Sequence, residues 1–287
     1  MDRRKLISRL RIVHRTGFSY KSPATASYNE ARMLPFSGGD QFVFSASLDI
    51  HPSSTQNSYV DYWGTRVSTF EVLTPHMELS VTATSVIEVR PVLRETPDIS
   101  WEDLKNTAQA TTQFVEFLLF TRMTEPPAEV VALAEAIVAT GLSPADTALA
   151  ICQAVYDHIT YMRGVTGVHS TGADAWAAGQ GVCQDIAHVT LGALRSVGIP
   201  ARYVSGYLHP KPDAPLGETI VGESHAWVEW FTGDWFGYDP TNMINIGERH
   251  VLIAHGRDYR DVSPLRGVYA GASASGVFVR VEITREA

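Results

Sequence analysis

Gly181-Val182-Cys183-Gln184-Asp185-Ile186-Ala187-His188 is the stretch around which the rest of this 287-residue chain is read. A small-residue approach, Ala177-Ala178-Gly179-Gln180-Gly181, delivers a cysteine to the start of an apolar-periodic run that ends at Gly198. Ile186, Thr190, Ala193, Leu194 and Val197 recur at helical spacing, which predicts Cys183 in the first turn. Gly198 suits the left-handed position past a helix end, and Pro200 prevents continuation. The unpaired N–H groups of a first turn carry about half a positive charge, which favours a thiolate. The same groups can hold an oxyanion. The pattern is that of a nucleophilic cysteine.

A nucleophile needs a base, and the base needs a group to orient it. Ser224-His225-Ala226-Trp227-Val228-Glu229-Trp230-Phe231 and Trp235-Phe236-Gly237-Tyr238-Asp239 read as strands joined by Thr232-Gly233-Asp234. A three-residue loop pairs Phe231 with Trp235 and, further along, Trp227 with Asp239. His225 and Asp239 then share one face as diagonal neighbours, about 7–8 Å apart along the backbone and within side-chain reach. A loop one residue shorter would send them to opposite faces. The geometry permits a Cys183–His225–Asp239 triad in that register alone.

A formal charge of −8 argues against a nucleic-acid partner. No apolar run approaches the roughly 20 residues of a membrane helix. The start, Met1-Asp2-Arg3-Arg4-Lys5, is followed by Arg9, Arg11, His14 and Arg15, unlike a secretory signal. Two cysteines make no disulfide framework, so a cytoplasmic location is expected.

From Leu6 to about Val89 short alternating runs such as Arg11–Arg15, Gln41–Ser45 and Leu79–Ala83 predict strands, separated by turn residues. Residues 1–92 are therefore expected to form an all-β, sandwich-like domain. Residues 93–287 follow as an α+β catalytic half, with the boundary between Arg90-Pro91 and Pro97-Asp98. Its helices are expected over Trp101–Phe120, Pro127–Thr140, from the N-cap Ser143 onward, and around Asp174-Ala175-Trp176. Cys152 falls on the apolar stripe of the third of these and reads as a buried small hydrophobe. The strand Ala201–Leu208 follows, and residues 209–222 show no period. The final alternation, Val277–Ile283, is expected to close the catalytic sheet.

The segments GVCQDIAH, IPARYVSGYL, SHAWVEWF and WFGYDPTN resemble the bacterial transglutaminase-like superfamily. Asp61-Tyr62-Trp63-Gly64 resembles part of that family's amino-terminal region, and Ala254–Tyr259 through Arg266-Gly267 its carboxy-terminal tail. The resemblance implies a papain-like core of helices packed on an antiparallel sheet. It also implies a Cys-His-Asp triad in this chain order, matched by Cys183, His225 and Asp239. A peptidase or amidase acting through a thioester acyl-enzyme is then expected, on a peptide, protein or small amide. Transfer to a primary amine and a non-catalytic binding module on the same scaffold are the alternatives.

The Cys183 backbone N–H is expected to serve as one oxyanion donor, with Gln180, Gln184 or Trp176 supplying a second. Asp185 and His188 stand three apart on the nucleophile helix and can touch. A metal site of Cys183, Asp185, His188 and His225 would lack the usual Cys pair or His-x-x-x-His anchor, so none is expected. Those two residues instead read as supports for the helix or a nearby loop. No cofactor is expected either.

Overall fold

The computed structural model describes residues 7–90, 96–222, 224–271 and 274–287. The expected boundary at 92/93 lies outside the described residues. The amino-terminal part is built from β1 (Ser8–Ala24), β2 (Ala26–Ala31), β3 (Gln41–His51), β4 (Gln56–Val60), β5 (Arg66–Val72) and β6 (His76–Val89). Then come α1 (Trp101–Ala110), α2 (Val115–Leu118), α3 (Ala128–Val138), α4 (Pro144–His158), β7 (Thr160–Tyr161), α5 (Gly172–Ala178) and β8 (Gln180–Gly181). The remainder comprises α6 (Cys183–Ser196), β9 (Ala201–Leu208), β10 (Thr219–Gly222), β11 (Ser224–Phe231), β12 (Trp235–Asp239) and β13 (Ile244–Asn245). Last are β14 (His250–Gly256), α7 (Tyr259–Val262), β15 (Leu265–Ala270) and β16 (Ala274–Arg285). Among the described residues no helix is long and apolar enough to cross a membrane.

Local chemistry accounts for most of these helices. Ser143 Oγ accepts the Asp146 N–H at 3.2 Å and Pro144 occupies the first turn of α4. Thr171 and Asp174 reciprocate each other's backbone N–H groups at the start of α5, and Gly179 closes it with a left-handed φ of 64°. The helix expected over Trp101–Phe120 is broken instead. Thr111 adopts an extended backbone and turns its side chain to cap Gln113, so a 3-10 turn precedes α2. A β-branched pair, Thr111-Thr112, disfavours a continuous helix and its hydroxyls offer local alternatives.

Two antiparallel sheets form the β region. One has the order β10-β16-β1-β6-β3 and the other β15-β2-β5-β4. Tyr20, Met33, Phe70, Leu79 and Val81 fill the space between them. A third sheet, ordered β13-β12-β11-β9-β14, carries α6 against β9 and β11, and α3, α4 and α5 pack on α6 in turn. The architecture is therefore α+β, with a β sandwich beside an antiparallel sheet covered by helices.

The expectation that Val277–Ile283 would extend the catalytic sheet is corrected. The strand β16 pairs with β1, from Leu10↔Arg285 to Tyr20↔Ala274, and with β10 on its other edge. Alternation marks a strand and its buried face, but does not say which edge it will meet. The long strand β1 alternates strictly in burial from Ser8 to Thr16, and its inward face serves two cores in succession. Leu10 and Ile12 join Ile87, Val89, Val281 and Ile283 in one apolar cluster with Ile186, Leu194 and Trp230 of the second half. Tyr20, further along the same face, belongs to the sandwich. The two halves thus share buried apolar surface across the first sheet.

Candidate active site

The helix α6 begins at Cys183 itself. Gly181 makes that start possible: a Cβ there would lie 2.8 Å from the Asp185 side chain. With no side chain in the way, Asp185 folds back, and its Oδ2 accepts the Val182 N–H at 2.8 Å and the Thr166 hydroxyl at 2.6 Å. The carboxylate thus closes the helix start and ties down the loop before α5. Burial raises its pKa, while these two donors counteract the rise. Cys183 remains partly exposed in front of this support.

The hairpin has the register that its loop length demands. Phe231 pairs with Trp235 and Val228 with Tyr238. His225 and Asp239 converge on one face, with Nε2 2.7 Å from Oδ2. On the other side of β11, His225 is paired with Gly206 of β9. A Cβ at Gly206 would stand 2.6 Å from the Trp227 ring and 2.1 Å from the Val251 carbonyl, so only glycine lets the three strands close up here.

Asp239 is fully buried and well supplied with donors. Its Oδ1 accepts the N–H groups of Thr241 (3.0 Å) and Asn242 (3.1 Å). Its Oδ2 accepts from Asn242 Nδ2 at 2.8 Å, beside His225, and His250 Nε2 stands 3.4 Å away. Burial alone would raise its pKa, but the bonds from His225, His250 and Asn242 hold it well below the usual carboxylate range. Burial alone would lower His225; the bond to Asp239 and contact with Cys183 reverse that and lift it to about 10. Because Nε2 is committed to Asp239, Nδ1 is the ring nitrogen left for the thiol. His250 responds oppositely, lowered chiefly by burial, so it acts as a neutral neighbour.

Cys183 and His225 open onto a cleft of about 420 Å³ walled by Tyr161, Arg163, Leu208, Val221, Thr241 and Asn242. Gln180, Gln184 and Trp176 are not among the described residues that line it. Gln180 sits in β8, paired with Thr160. The Trp176 ring stacks on His158 with centroids 3.7 Å apart, and its carbonyl accepts from His158 Nε2. His188 is fully buried, its Nε2 accepts the Tyr259 N–H at 3.2 Å, and burial pushes its pKa down to about 3. It braces α7 against α6. Among the described residues no cluster of three or more His, Cys, Asp or Glu could hold a metal ion.

Asn242 and His250 are the residues that sequence reasoning missed. Asn242 lies within the quoted WFGYDPTN segment, three residues past Asp239, where a turn can carry its amide back to the carboxylate. No local signal marks His250, which arrives on β14 from across the sheet.

Two family models match the chain. The bacterial transglutaminase-like N-terminal region covers residues 10–88, and the transglutaminase-like superfamily covers 131–240. The protein belongs to the transglutaminase-like superfamily. Uncharacterized protein ML0607 of Mycobacterium leprae is 46% identical over 277 residues, 96% of this chain and 99% of its own. Uncharacterized protein Rv2569c of Mycobacterium tuberculosis is 30% identical over 294 residues, covering 96% of this chain and 92% of that one. A Cytophaga hutchinsonii crystal structure described as a "Putative Cysteine Protease" superposes with a TM-score of 0.74 at 20% identity, covering 98% of both chains. That likeness extends through the β region as well as the core.

Proposed function

We propose that this member of the superfamily is a cysteine-dependent acyl-transfer enzyme acting on amide bonds, with hydrolysis as its reaction. The observation that carries the reading is the 2.7 Å contact of His225 with the buried Asp239, in a cleft shared with Cys183 at a helix start. Cys183 attacks the amide carbonyl carbon, and the developing oxyanion meets the unpaired first-turn N–H groups of α6, Cys183's own included. Protonated His225 donates to the leaving amine as the C–N bond breaks, which leaves a thioester on Cys183. His225 then takes a proton from water, which attacks the thioester and releases the acid and the thiolate. Asp239 keeps the ring oriented with Nε2–H toward itself throughout. The two unbridged cysteines support a reducing, cytoplasmic setting.

The test is a screen of internally quenched peptides and small amides, with and without an added primary amine. Hydrolysis that is abolished in Cys183→Ala supports the reading. Products that incorporate the amine in preference to water would reassign the reaction to transfer. Wild-type turnover by Cys183→Ala would refute the nucleophile.

A further inference from the structure

One edge of the first sheet is the short strand β10, Thr219-Ile220-Val221-Gly222. Among the described strands it pairs with β16 alone, Thr219 opposite Thr284 and Gly222 opposite Val281. The hydrogen bonds of β16 show which way the residues of that ladder point. The Glu286 N–H donates to the Arg9 carbonyl of β1 at 2.7 Å, while the Arg285 carbonyl accepts the Gly217 N–H, ahead of β10, at 2.8 Å. Odd-numbered residues of β16 therefore direct their backbone groups toward β10, and even-numbered ones toward β1. Ile220 and Gly222, opposite Ile283 and Val281, form the hydrogen-bonded pairs. Thr219 and Val221 occupy the other kind of site, where facing side chains come closest, and the Thr219 and Thr284 hydroxyls do meet at 2.8 Å. The N–H and C=O groups of Thr219 and Val221 thus face away from β16, and among the described residues no backbone group meets them.

That open edge borders the cleft of Cys183. Val221 and Gly222 both line the cleft, on the side that leads through Ser224 to His225. Successive strand residues present opposite faces, so a cleft that touches both of them lies along the strand's edge and not over one face. Nothing in Thr-Ile-Val-Gly guards this edge: it holds no charge, no proline and no bulge, the usual protections against strand addition. The loop ahead of it is tied elsewhere. Arg285 holds the Gly217 N–H and the Pro212 carbonyl at the end of β16, and Lys211 pairs with Glu218.

We propose that β10 is the docking edge for the substrate of the same centre, an extended peptide segment whose backbone adds to it as a further strand along the cleft. The outward N–H and C=O groups of Thr219 and Val221 are its hydrogen-bonding groups, and they meet alternate residues of the added strand. The inference rests on the assignment of Cys183 as the nucleophile, and it narrows the substrate from amides in general to chains of several residues. Main-chain bonds supply affinity without reading side chains, so selection falls first on conformation: an extended segment docks and a helical one does not. Because β10 belongs to the sheet built on β1, the amino-terminal β region takes a direct part in holding the substrate.

The experiment screens peptides of about eight residues, within the length of an ordinary strand, in two ways. Cleavage is measured with the wild type, and binding with the full-length Cys183→Ala protein by fluorescence polarisation. Each residue of the best peptide is then N-methylated in turn. Methylation at alternate positions should weaken binding about three- to tenfold, and at the positions between them less than about twofold. Val221→Pro, which deletes an outward N–H at an edge where proline is tolerated, should weaken the same peptide to a similar extent. The rate at which iodoacetamide alkylates Cys183 checks that this variant keeps its fold; if that rate changes, the N-methyl scan on the native edge decides alone. Peptides that bind without alternation would overturn the docking edge and leave the acyl-transfer reading standing. So would small amides that are cleaved while no peptide binds up to about 1 mM. Alternation in binding with no cleavage of any peptide would uphold the edge and sink the acyl-transfer reading. Neither binding nor cleavage would overturn both.

Discussion

Replacing Asp239 by asparagine keeps the shape of the orienting residue and removes its charge. The amide oxygen can still accept the N–H groups of Thr241 and Asn242, but the NH2 group then faces the Nε2–H of His225, donor against donor. In the native protein His225 is raised from 6.5 to about 10, which at about 1.4 kcal/mol per tenfold is a net of nearly 5 kcal/mol after the cost of burial has been subtracted from its favourable interactions. Contact with Cys183 supplies part of this and survives the change, so about 3 kcal/mol is assigned to Asp239, within the range for breaking a buried pair. The pH dependence follows from the direction of each shift. His225, raised on folding, contributes stability that is complete below about pH 6.5 and lost as pH rises toward about 10. Asp239, depressed on folding, contributes stability complete above the ordinary carboxylate value and lost only in strong acid. Urea unfolding of the wild type and Asp239→Asn should therefore differ by about 3 kcal/mol at pH 6, and by about 2 kcal/mol less at pH 10. A difference below about 1 kcal/mol at pH 6, or one that is equal at both pH values, would refute an ion pair here.

Other outcomes follow from the same geometry. Removing residues 274–287 deletes β16, whose Val281 and Ile283 are buried in the apolar cluster shared by both halves, each contributing about 1.5–3 kcal/mol. That protein should be unfolded by circular dichroism; a native spectrum would show that the strand is dispensable. Native alkylation followed by mass mapping should modify Cys183 alone, because Cys152 is fully buried and burial raises its pKa, and both cysteines should react in urea. Asn242→Ala removes the 2.8 Å bond to Asp239 and should lower kcat about tenfold with a stability cost of about 1–2 kcal/mol, measured by peptide turnover and urea unfolding.

The parts of the site that were legible in sequence are those fixed by local geometry. A three-residue loop between Phe231 and Trp235 sets the face of every residue in the hairpin, so the approach of His225 to Asp239 follows from counting. The start of α6 was legible for a similar reason: a glycine approach, an apolar period and a terminal Gly-x-Pro are all local signals. Which strands meet across the molecule was not. The alternation of β16 describes one buried face and is equally compatible with several sheet edges; it was the pairing with β1 that decided its place. The four residues of β10 are too few to show a period, and they are defined as a strand by β16 alongside. His250 lies in β14, whose burial pattern does not alternate, and it meets Asp239 only because β14 pairs with β9 on the far side of β11.

The most direct test of the account is acid-quenched mass spectrometry on the protein mixed with its best amide substrate. The predicted result is a mass increase equal to the acyl portion of that substrate, mapped to the peptide containing Cys183 and absent from Cys183→Ala. An acyl group found on another residue, or unimpaired turnover with Cys183 removed, would contradict the assignment of Cys183 as the nucleophile.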